Sequence, residues 1–220
     1  MNDIAGYIDH TILKPTTKPD DIVRLCAEAK EYGFAAVCVR PYYAATANTT
    51  LKGSGVHIAT VIGFPFGYST TAAKLAEISA AINAGARELD IVHNIAALKS
   101  GDWQYLQHEI TACTKLVHSH GCIIKVIIES GVLTDEEIIK CCEVYSAAGV
   151  DFMKTSTGYA ETSATTHAVE LMRKHLPAEV AIKASGGIRT FAFAEELIRA
   201  GATRIGTSSG IAIVKESKEP

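Results

Sequence analysis

Three lysines of this 220-residue chain lie inside short apolar segments rich in β-forming residues. Lys125 stands between Ile and Val, Lys154 between Met and Thr, and Lys183 between Ile and Ala. Most lysines lie on protein surfaces, because an ammonium group that is buried without a partner loses its hydration. One such lysine is ordinarily ion-paired or extends to solvent, so the informative feature is that there are three.

Carboxylates occur at comparable positions in the same kind of segment. Asp9 and Asp90 lie within apolar runs, and Glu129 lies at the end of another. Three lysines and three carboxylates at similar depth favour an active site over isolated ion pairs, because enzymes use such pairs to shift pKa values. Asp90 is the carboxylate that we expect to complete the acid and base set.

Lys154 and Lys183 lie in consecutive predicted strands, so their amines are expected to be close together. Two positive charges about 6 Å apart repel by roughly 3 kcal/mol at an effective dielectric of about 20, or about 2 pKa units. Burial acts in the same direction. One lysine is then neutral near pH 7, as attack on a carbonyl requires. This argument leaves open which of the two is the nucleophile.

Turns rich in glycine and hydroxyl groups follow the last three predicted strands. Their sequences are STG (156–158), SGG (185–187) and GTSSG (206–210). Exposed backbone N–H groups in such turns suit a phosphate, and barrel enzymes commonly bind phosphate after strands seven and eight. None of the turns matches the dinucleotide fingerprint or the P-loop pattern. The sequence therefore predicts a phosphorylated substrate and no nucleotide cofactor.

Composition narrows the function classes further. The formal net charge is −3, which gives no basic surface for nucleic acid or an anionic membrane. No segment is long and apolar enough to span a bilayer, and no secretory signal is evident at the N-terminus. The six cysteines lack a C-x-x-C pattern and favour a reducing, cytoplasmic setting. The eight histidines show no metal-binding spacing, so we expect neither metal nor cofactor.

The elements that carry these residues alternate along the whole chain. Segments rich in β-forming residues occur at 8–11, 35–39, 57–62, 88–92, 122–129, 151–155, 180–184 and 204–207. Between them, apolar residues recur at helical spacing. Eight strands alternating with helices predict a single (β/α)₈ barrel over residues 1–220, with a short charged tail at about 215–220. Active sites of such barrels lie at the C-terminal ends of the strands.

Several motifs of the chain resemble those of the deoxyribose-phosphate aldolase family. They are IDHTILKP (8–15), VCV (37–39), ELD (88–90), KVIIE (125–129), MKTSTG (153–158), IKASGGIR (182–189) and RIGTSSG (204–210). The resemblance runs from Ile8 to Val214. It implies a class I aldolase that reversibly cleaves 2-deoxy-D-ribose 5-phosphate to acetaldehyde and D-glyceraldehyde 3-phosphate. It also implies a cytoplasmic homo-oligomer, a dimer or tetramer, that works without metal.

The resemblance assigns roles that the residues alone left open. It implies that Lys154 forms the Schiff base, with Asp90 and Lys183 as its proton-transfer partners. The complete expected set for substrate and phosphate is Thr11, Lys125, Thr157, Gly158, Gly186, Gly187, Gly206, Ser208 and Ser209.

Three positions depart from the family pattern. Arg40 stands where Asn is frequent, and His93 and Ala96 replace an aliphatic residue and a glycine. We expect an additional arginine and imidazole near the mouth to alter substrate preference without changing the lysine chemistry.

Two other functions remain as alternatives. One is a different phosphosugar barrel, such as an epimerase or a metal-assisted lyase that uses Asp90 and a histidine. The other is a protein that binds a phosphorylated metabolite without catalysis. The second is disfavoured by Lys154 and Lys183, because binding alone does not require two apposed lysines.

Overall fold

Eight parallel strands close into a barrel in the computed structural model, which describes residues 4–218. Each strand pairs with the next in chain order, and the last pairs with the first. The strands are β1 (Ile8–Ile12), β2 (Ala36–Val39), β3 (His57–Ile62), β4 (Glu88–Val92), β5 (Ile123–Ile127), β6 (Phe152–Lys154), β7 (Ala181–Ser185) and β8 (Arg204–Thr207). This closed barrel confirms the predicted (β/α)₈ fold.

Nine α-helices occur within residues 4–218, and they surround the barrel or form part of its loops. They are α1 (Pro19–Tyr32), α2 (Ala44–Thr50), α3 (Thr71–Asn83), α4 (Ile95–Lys99), α5 (Trp103–Ser119), α6 (Asp135–Ala147), α7 (Thr166–His175), α8 (Phe191–Arg199) and α9 (Gly210–Glu216). Short 3₁₀ turns occur at Ala5–Tyr7, Pro41–Tyr43 and Ser130–Val132. No helix in the described range is long and apolar enough to cross a membrane.

Local sequence signals set the helix ends. Helix α6 begins with a reciprocal cap, in which the Thr134 hydroxyl accepts from the Glu137 N–H (3.3 Å) and the Glu137 carboxylate accepts from the Thr134 N–H (2.8 Å). Helix α1 starts at Pro19, where a missing N–H costs nothing, and ends before Gly33.

Some predicted boundaries differ from the structure. Strand β5 ends at Ile127, because Glu129 adopts a left-handed backbone conformation with φ of 52° and leaves the sheet. Strand β6 is only Phe152–Lys154. Helix α9 extends to Glu216, so the first two residues of the predicted tail are helical, while residues 219 and 220 lie outside the described range.

The interior of the barrel is apolar on one side and charged on the other. On the side of β2 and β3, a small cluster of Ala36, Cys38, Ala59 and Val61 fills the barrel. The remaining strands direct charged side chains inward, and these form the site described next. The main apolar core lies between the strands and the surrounding helices and contains five of the six cysteines. The sixth, Cys38, is buried in the inner cluster.

Candidate active site

The register of the sheet places the charged residues next to one another. On adjacent strands, Asp90 of β4 pairs with Lys125 of β5, and Lys154 of β6 pairs with Lys183 of β7. Lys125 pairs on its other side with Phe152, two residues before Lys154. Lys125 therefore lies one inward-facing layer deeper in the barrel than Lys154.

Asp90 is the centre of this arrangement. One carboxylate oxygen, Oδ2, accepts from the Nζ of Lys154 (2.8 Å) and from the Nζ of Lys183 (2.7 Å). The other oxygen, Oδ1, accepts from the Nζ of Lys125 (2.9 Å). Asp90, Lys125 and Lys183 are fully buried, whereas Lys154 keeps 3% of its surface exposed. The structure thus brings together all three lysines and the carboxylate selected from the sequence.

Deeper in the barrel, Asp9, Glu88 and Arg204 extend this network. Asp9 accepts from Lys183 and from Nη1 of Arg204 (2.6 Å). Glu88 accepts from Lys125 (2.5 Å) and from the same Arg204 nitrogen (3.0 Å). The roles of Glu88 and Arg204 were not predicted from the sequence. Their only signal was a charged residue at the first position of a strand.

Burial and neighbouring charges move the pKa values of the lysines apart. Burial lowers the pKa of Lys154 below its usual value; the Asp90 carboxylate opposes this and the Lys183 charge adds to it. Burial also lowers the pKa of Lys183, but the carboxylates of Asp9 and Asp90 outweigh it and hold that pKa above its usual value. The two apposed lysines therefore differ in the way that the repulsion argument requires.

Asp90 and Lys125 keep their charges for the same reason. Burial alone would raise the pKa of Asp90, but the charges of Lys125, Lys154 and Lys183 hold it well below the usual range. Burial alone would lower the pKa of Lys125, yet Asp90 and Glu88 outweigh burial and the Lys183 charge and raise it.

A cavity of about 320 Å³ opens at the C-terminal ends of the strands. Its walls come from the segments that follow β1, β6, β7 and β8. Of the three interior lysines, Lys154 lines this cavity, whereas Lys125 and Lys183 are completely covered. A small molecule in the cavity therefore meets the amine whose pKa is lowered.

The glycine turns form the cavity wall opposite the apolar cluster, with Gly158, Gly186, Gly187 and Gly206 among its residues. The turns after β6 and β7 approach each other so closely that a Cβ on Gly186 would stand 2.7 Å from Ser163 Oγ and 3.2 Å from Gly158 Cα. A Cβ on Gly206 would stand 3.1 Å from Cε of Lys183 and 2.9 Å from Cβ of Ser185.

Comparison with known proteins identifies the family. The model of the DeoC/LacD family aldolases matches residues 4–216. The chain belongs to this aldolase family. Deoxyribose-phosphate aldolase of Thermococcus gammatolerans is 50% identical over 98% of this chain and 97% of the relative. That of Caldanaerobacter subterraneus subsp. tengcongensis is 47% identical over 100% of this chain and 95% of the relative.

A solved structure agrees with the sequence relatives. A tetrameric deoxyribose-phosphate aldolase from Aeropyrum pernix superimposes with a TM-score of 0.92 at 32% identity. The match covers 98% of this chain and 91% of that chain.

Some residues predicted to bind substrate in this aldolase are placed differently by the structure. Lys125 is fully buried, belongs to the deeper layer and does not line the cavity, so its contact with substrate stays a prediction. Ser208 lines the cavity while Ser209 does not, and the Ser209 N–H donates to the Thr207 hydroxyl (2.9 Å). The contact of both serines with the substrate stays a prediction.

Thr11 and Thr157 line the cavity, but their hydroxyl hydrogens are already donated. Thr11 donates to the carbonyl of Asp9 (2.8 Å), and Thr157 donates its hydroxyl and its N–H to Glu129. The Thr11 hydroxyl can still accept a hydrogen bond from a ligand, whereas the Thr157 hydroxyl already accepts from the Tyr159 N–H (3.0 Å). Glu129 holds the start of the turn after β6 rather than facing the cavity, which the sequence did not indicate.

Two cavity residues of the aldolase were missed although they lie in the motifs. The exposed side chains of Lys14 and Arg189 follow β1 and β7 and line the same cavity as the glycine turns. Their positive charge in turns after barrel strands was the available signal. Tyr159 also lines the cavity, and its hydroxyl donates to the carbonyl of Leu13 (3.0 Å).

The three departures from the family pattern lie outside the cavity lining. His93 is fully buried, with Nδ1 2.7 Å from the hydroxyl of Tyr145, and burial lowers its pKa to about 3. The guanidinium of Arg40 lies 5.5 Å from the ring centre of Tyr43, outside the cavity lining. Ala96 is exposed on α4. Within residues 4–218, no group of three His, Cys, Asp or Glu side chains is arranged to hold a metal ion.

Proposed function

We propose that this protein is a class I aldolase that reversibly cleaves 2-deoxy-D-ribose 5-phosphate into acetaldehyde and D-glyceraldehyde 3-phosphate through an imine on Lys154. The observation that carries the proposal is the exposure of this one amine to the cavity with a lowered pKa. The names of relatives near 50% identity over almost the whole chain support the substrate.

The proposed chemistry takes place on the amine of Lys154. The neutral amine adds to the C1 aldehyde of the open-chain sugar, and loss of water gives a protonated imine. The C2–C3 bond then breaks, its electron pair enters the imine to form an enamine, and the C3 hydroxyl loses its proton as D-glyceraldehyde 3-phosphate forms. Protonation of the enamine carbon and addition of water release acetaldehyde and restore the amine.

We assign Asp90 and Lys183 to the proton transfers around this amine. Asp90 is 2.8 Å from Nζ of Lys154, so it is placed to take up the proton that this nitrogen loses and to return it. Lys183 is hydrogen-bonded to the same carboxylate oxygen, and its charge favours the neutral form of Lys154.

The other end of the cavity is proposed to bind the phosphate. Backbone N–H groups at Gly186 and Gly187, the hydroxyl of Ser208 and the cations of Lys14 and Arg189 surround the same space. Peptide N–H groups and basic side chains are the groups that bind phosphate oxygens in proteins.

The deciding experiment is borohydride reduction with acetaldehyde or deoxyribose 5-phosphate, followed by peptide mapping. A stable adduct on Lys154 is expected, because only the imine is reduced to a permanent bond. Exposed Lys14 serves as an internal measure of background, and Lys154→Met as the matched control. An adduct mainly on Lys183 or Lys125 would overturn the assignment. Activity lost to EDTA and restored by zinc would favour the metal-assisted alternative.

We also propose that the protein forms a cytoplasmic homo-oligomer, either a dimer or a tetramer. The Aeropyrum pernix relative, described as tetrameric, supports this assembly. Light scattering that gives a monomer mass at micromolar concentration would contradict it.

A further inference from the structure

A single network of charged side chains connects Lys154 with the end of the barrel at which the strands begin. Each member contacts at least one other, and the seven members are Asp9, Glu88, Asp90, Lys125, Lys154, Lys183 and Arg204. Three of these are carboxylates and four are basic. The network is therefore electrically neutral when one basic group carries no charge.

Lys154 is the basic group with the fewest carboxylate partners. Among the carboxylates of the described residues, only Asp90 lies within 4 Å of its amine. Lys183 meets Asp9 and Asp90, whereas Arg204 meets Asp9 and Glu88. Lys125 contacts Glu88 and Asp90 and lies 4.0 Å from Asp9. The neutral site of a balanced network is thus Lys154.

We propose that Glu88 and Arg204 are positioning residues that set the charge of the Lys154 amine from the end of the barrel at which the strands begin. Both stand at the first position of a strand, and neither lines the cavity nor contacts Lys154. They act because charges in a buried network are poorly screened, so a gain or loss at one end alters the balance at the other. The inference rests on the proposed function only for the role of the Lys154 amine in forming the imine.

Other titratable groups lie near Lys154 and near Glu88, and their charges must be the same in all the variants that are compared. Near Lys154 these are Asp90, Lys183, the thiol of Cys38 and the carboxylate of Glu129. Burial raises the pKa of the Cys38 thiol, which keeps that group neutral.

At the other end, Glu88 contacts Lys125 and Arg204, and the negative charge of Asp9 is close enough to act on it. It also meets the exposed His57, whose Nδ1 is 3.0 Å from Glu88 Oε1. A parallel set of variants carrying His57→Gln removes that imidazole from the comparison.

The test uses two substitutions that change the network charge in opposite directions. Glu88→Gln removes a negative charge, so Lys154 should lose its proton at lower pH. Arg204→Gln removes a positive charge, so Lys154 should keep its proton to higher pH. Each shift should be roughly 1 pH unit, the effect of a unit charge about 10 Å away at an effective dielectric of about 20. The double variant restores neutrality and should return to the wild-type value.

The measurement is the rate at which 1-fluoro-2,4-dinitrobenzene modifies Lys154 at each pH, followed by mass spectrometry of its peptide. This reagent attacks neutral amines and needs no aldehyde chemistry. Arg204→Lys keeps the charge and should keep the wild-type curve. Arg199→Gln is the matched control, since this arginine is 72% exposed and pairs only with Glu195 in the described chain.

Opposite shifts that cancel in the double variant support the proposal, because a merely structural role would not give them opposite signs. Shifts in the same direction, or none, overturn it. If Glu88→Gln does not fold, Arg204→Gln decides the sign alone, since its side chain is 14% exposed and water can replace it. If the pH dependence of Lys154 labelling shifts as expected but the protein does not cleave the sugar, the proposed function is contradicted and this inference is supported. Cleavage with no shifts would do the reverse.

Discussion

Replacing Lys183 by Leu removes the positive charge nearest to Lys154. Both amines donate to the same oxygen of Asp90, at 2.8 and 2.7 Å, so the nitrogens lie about 5 Å apart. At an effective dielectric of about 20, their repulsion is about 3 kcal/mol, or about 2 pKa units. The pKa of Lys154 should therefore rise by about 2 units when Lys183 is lost.

The sign of the effect on rate follows from the nucleophile being the neutral amine. A higher pKa moves the ascending limb of the pH–rate profile for deoxyribose 5-phosphate cleavage to higher pH by the same amount. Below both pKa values the neutral fraction falls about 100-fold, so activity on the ascending limb should fall by about that factor, and by less at a pH where wild-type Lys154 is already neutral. Part of it should return as the pH is raised, which is not expected of a misfolded enzyme.

Controls separate charge from packing in this experiment. Lys183→Arg keeps the charge and should shift the limb little, although its turnover can suffer from the larger side chain. Asp90→Asn should have the opposite effect on the limb, because the Asp90 carboxylate raises the pKa of Lys154. Lys183→Leu leaves Asp9 and Asp90 undercompensated, at a cost of about 3–5 kcal/mol in stability, so urea unfolding should accompany the kinetics. An unchanged limb and unchanged turnover in a folded Lys183→Leu enzyme would refute the two-lysine argument.

Two further predictions concern the phosphate wall and the acid stability of the network. Ser208→Asp places a carboxylate beside the proposed phosphate and should raise KM for deoxyribose 5-phosphate roughly 10- to 100-fold, or about 1.4–2.7 kcal/mol. Cleavage of unphosphorylated deoxyribose should change much less, and equal losses on both sugars would contradict the assignment. For Asp9, burial alone would raise the pKa, but Lys183, Lys125 and Arg204 lower it from 3.8 to about 2. Its stabilising contribution is therefore present above about pH 4 and lost as the pH falls towards 2. Urea unfolding at a series of acid pH values should show this loss, and Asp9→Asn should flatten it.

Much of the fold could be predicted because local signals repeat eight times in the sequence. Apolar β-rich segments, helical spacing between them and capping residues such as Thr134 all indicate the same alternation. Strand ends were less predictable where the sequence stays apolar beyond the sheet. The run that ends at Glu129 continues to look like a strand, but a left-handed residue and contacts with the next loop end β5 at Ile127.

Depth inside the barrel could not be predicted, and this explains why the sequence did not separate Lys125 from the lysine that lines the cavity. Lys125 and Lys154 both face inward from apolar strands, and nothing in either segment states how far each extends along the barrel axis. The register decides it, since Lys154 pairs with Ile127, two residues beyond Lys125. Register in a closed barrel depends on the shear of all eight strands together. Glu88 and Arg204 were missed for the same reason.

His93 is a different case, because its orientation was available from the sequence. Side chains alternate between the two faces of a strand, so the alternation that directs Asp90 into the barrel directs His93 outward. There it meets Tyr145 of helix α6 instead of the cavity. Residues just beyond a strand end keep this alternation for one or two positions, which argues against assigning them to the mouth by proximity in sequence.

Selection of one lysine from three thus depends on depth and on the number of carboxylates in contact. Burial disfavours the charged form of each interior lysine, and the carboxylates restore that charge at Lys125 and Lys183. Lys154 stands one layer higher with a single carboxylate, so burial prevails there and the same position exposes its amine to the cavity. The lysine that is accessible to a substrate and the lysine whose pKa is lowered are therefore the same residue, because both properties follow from its place in the register.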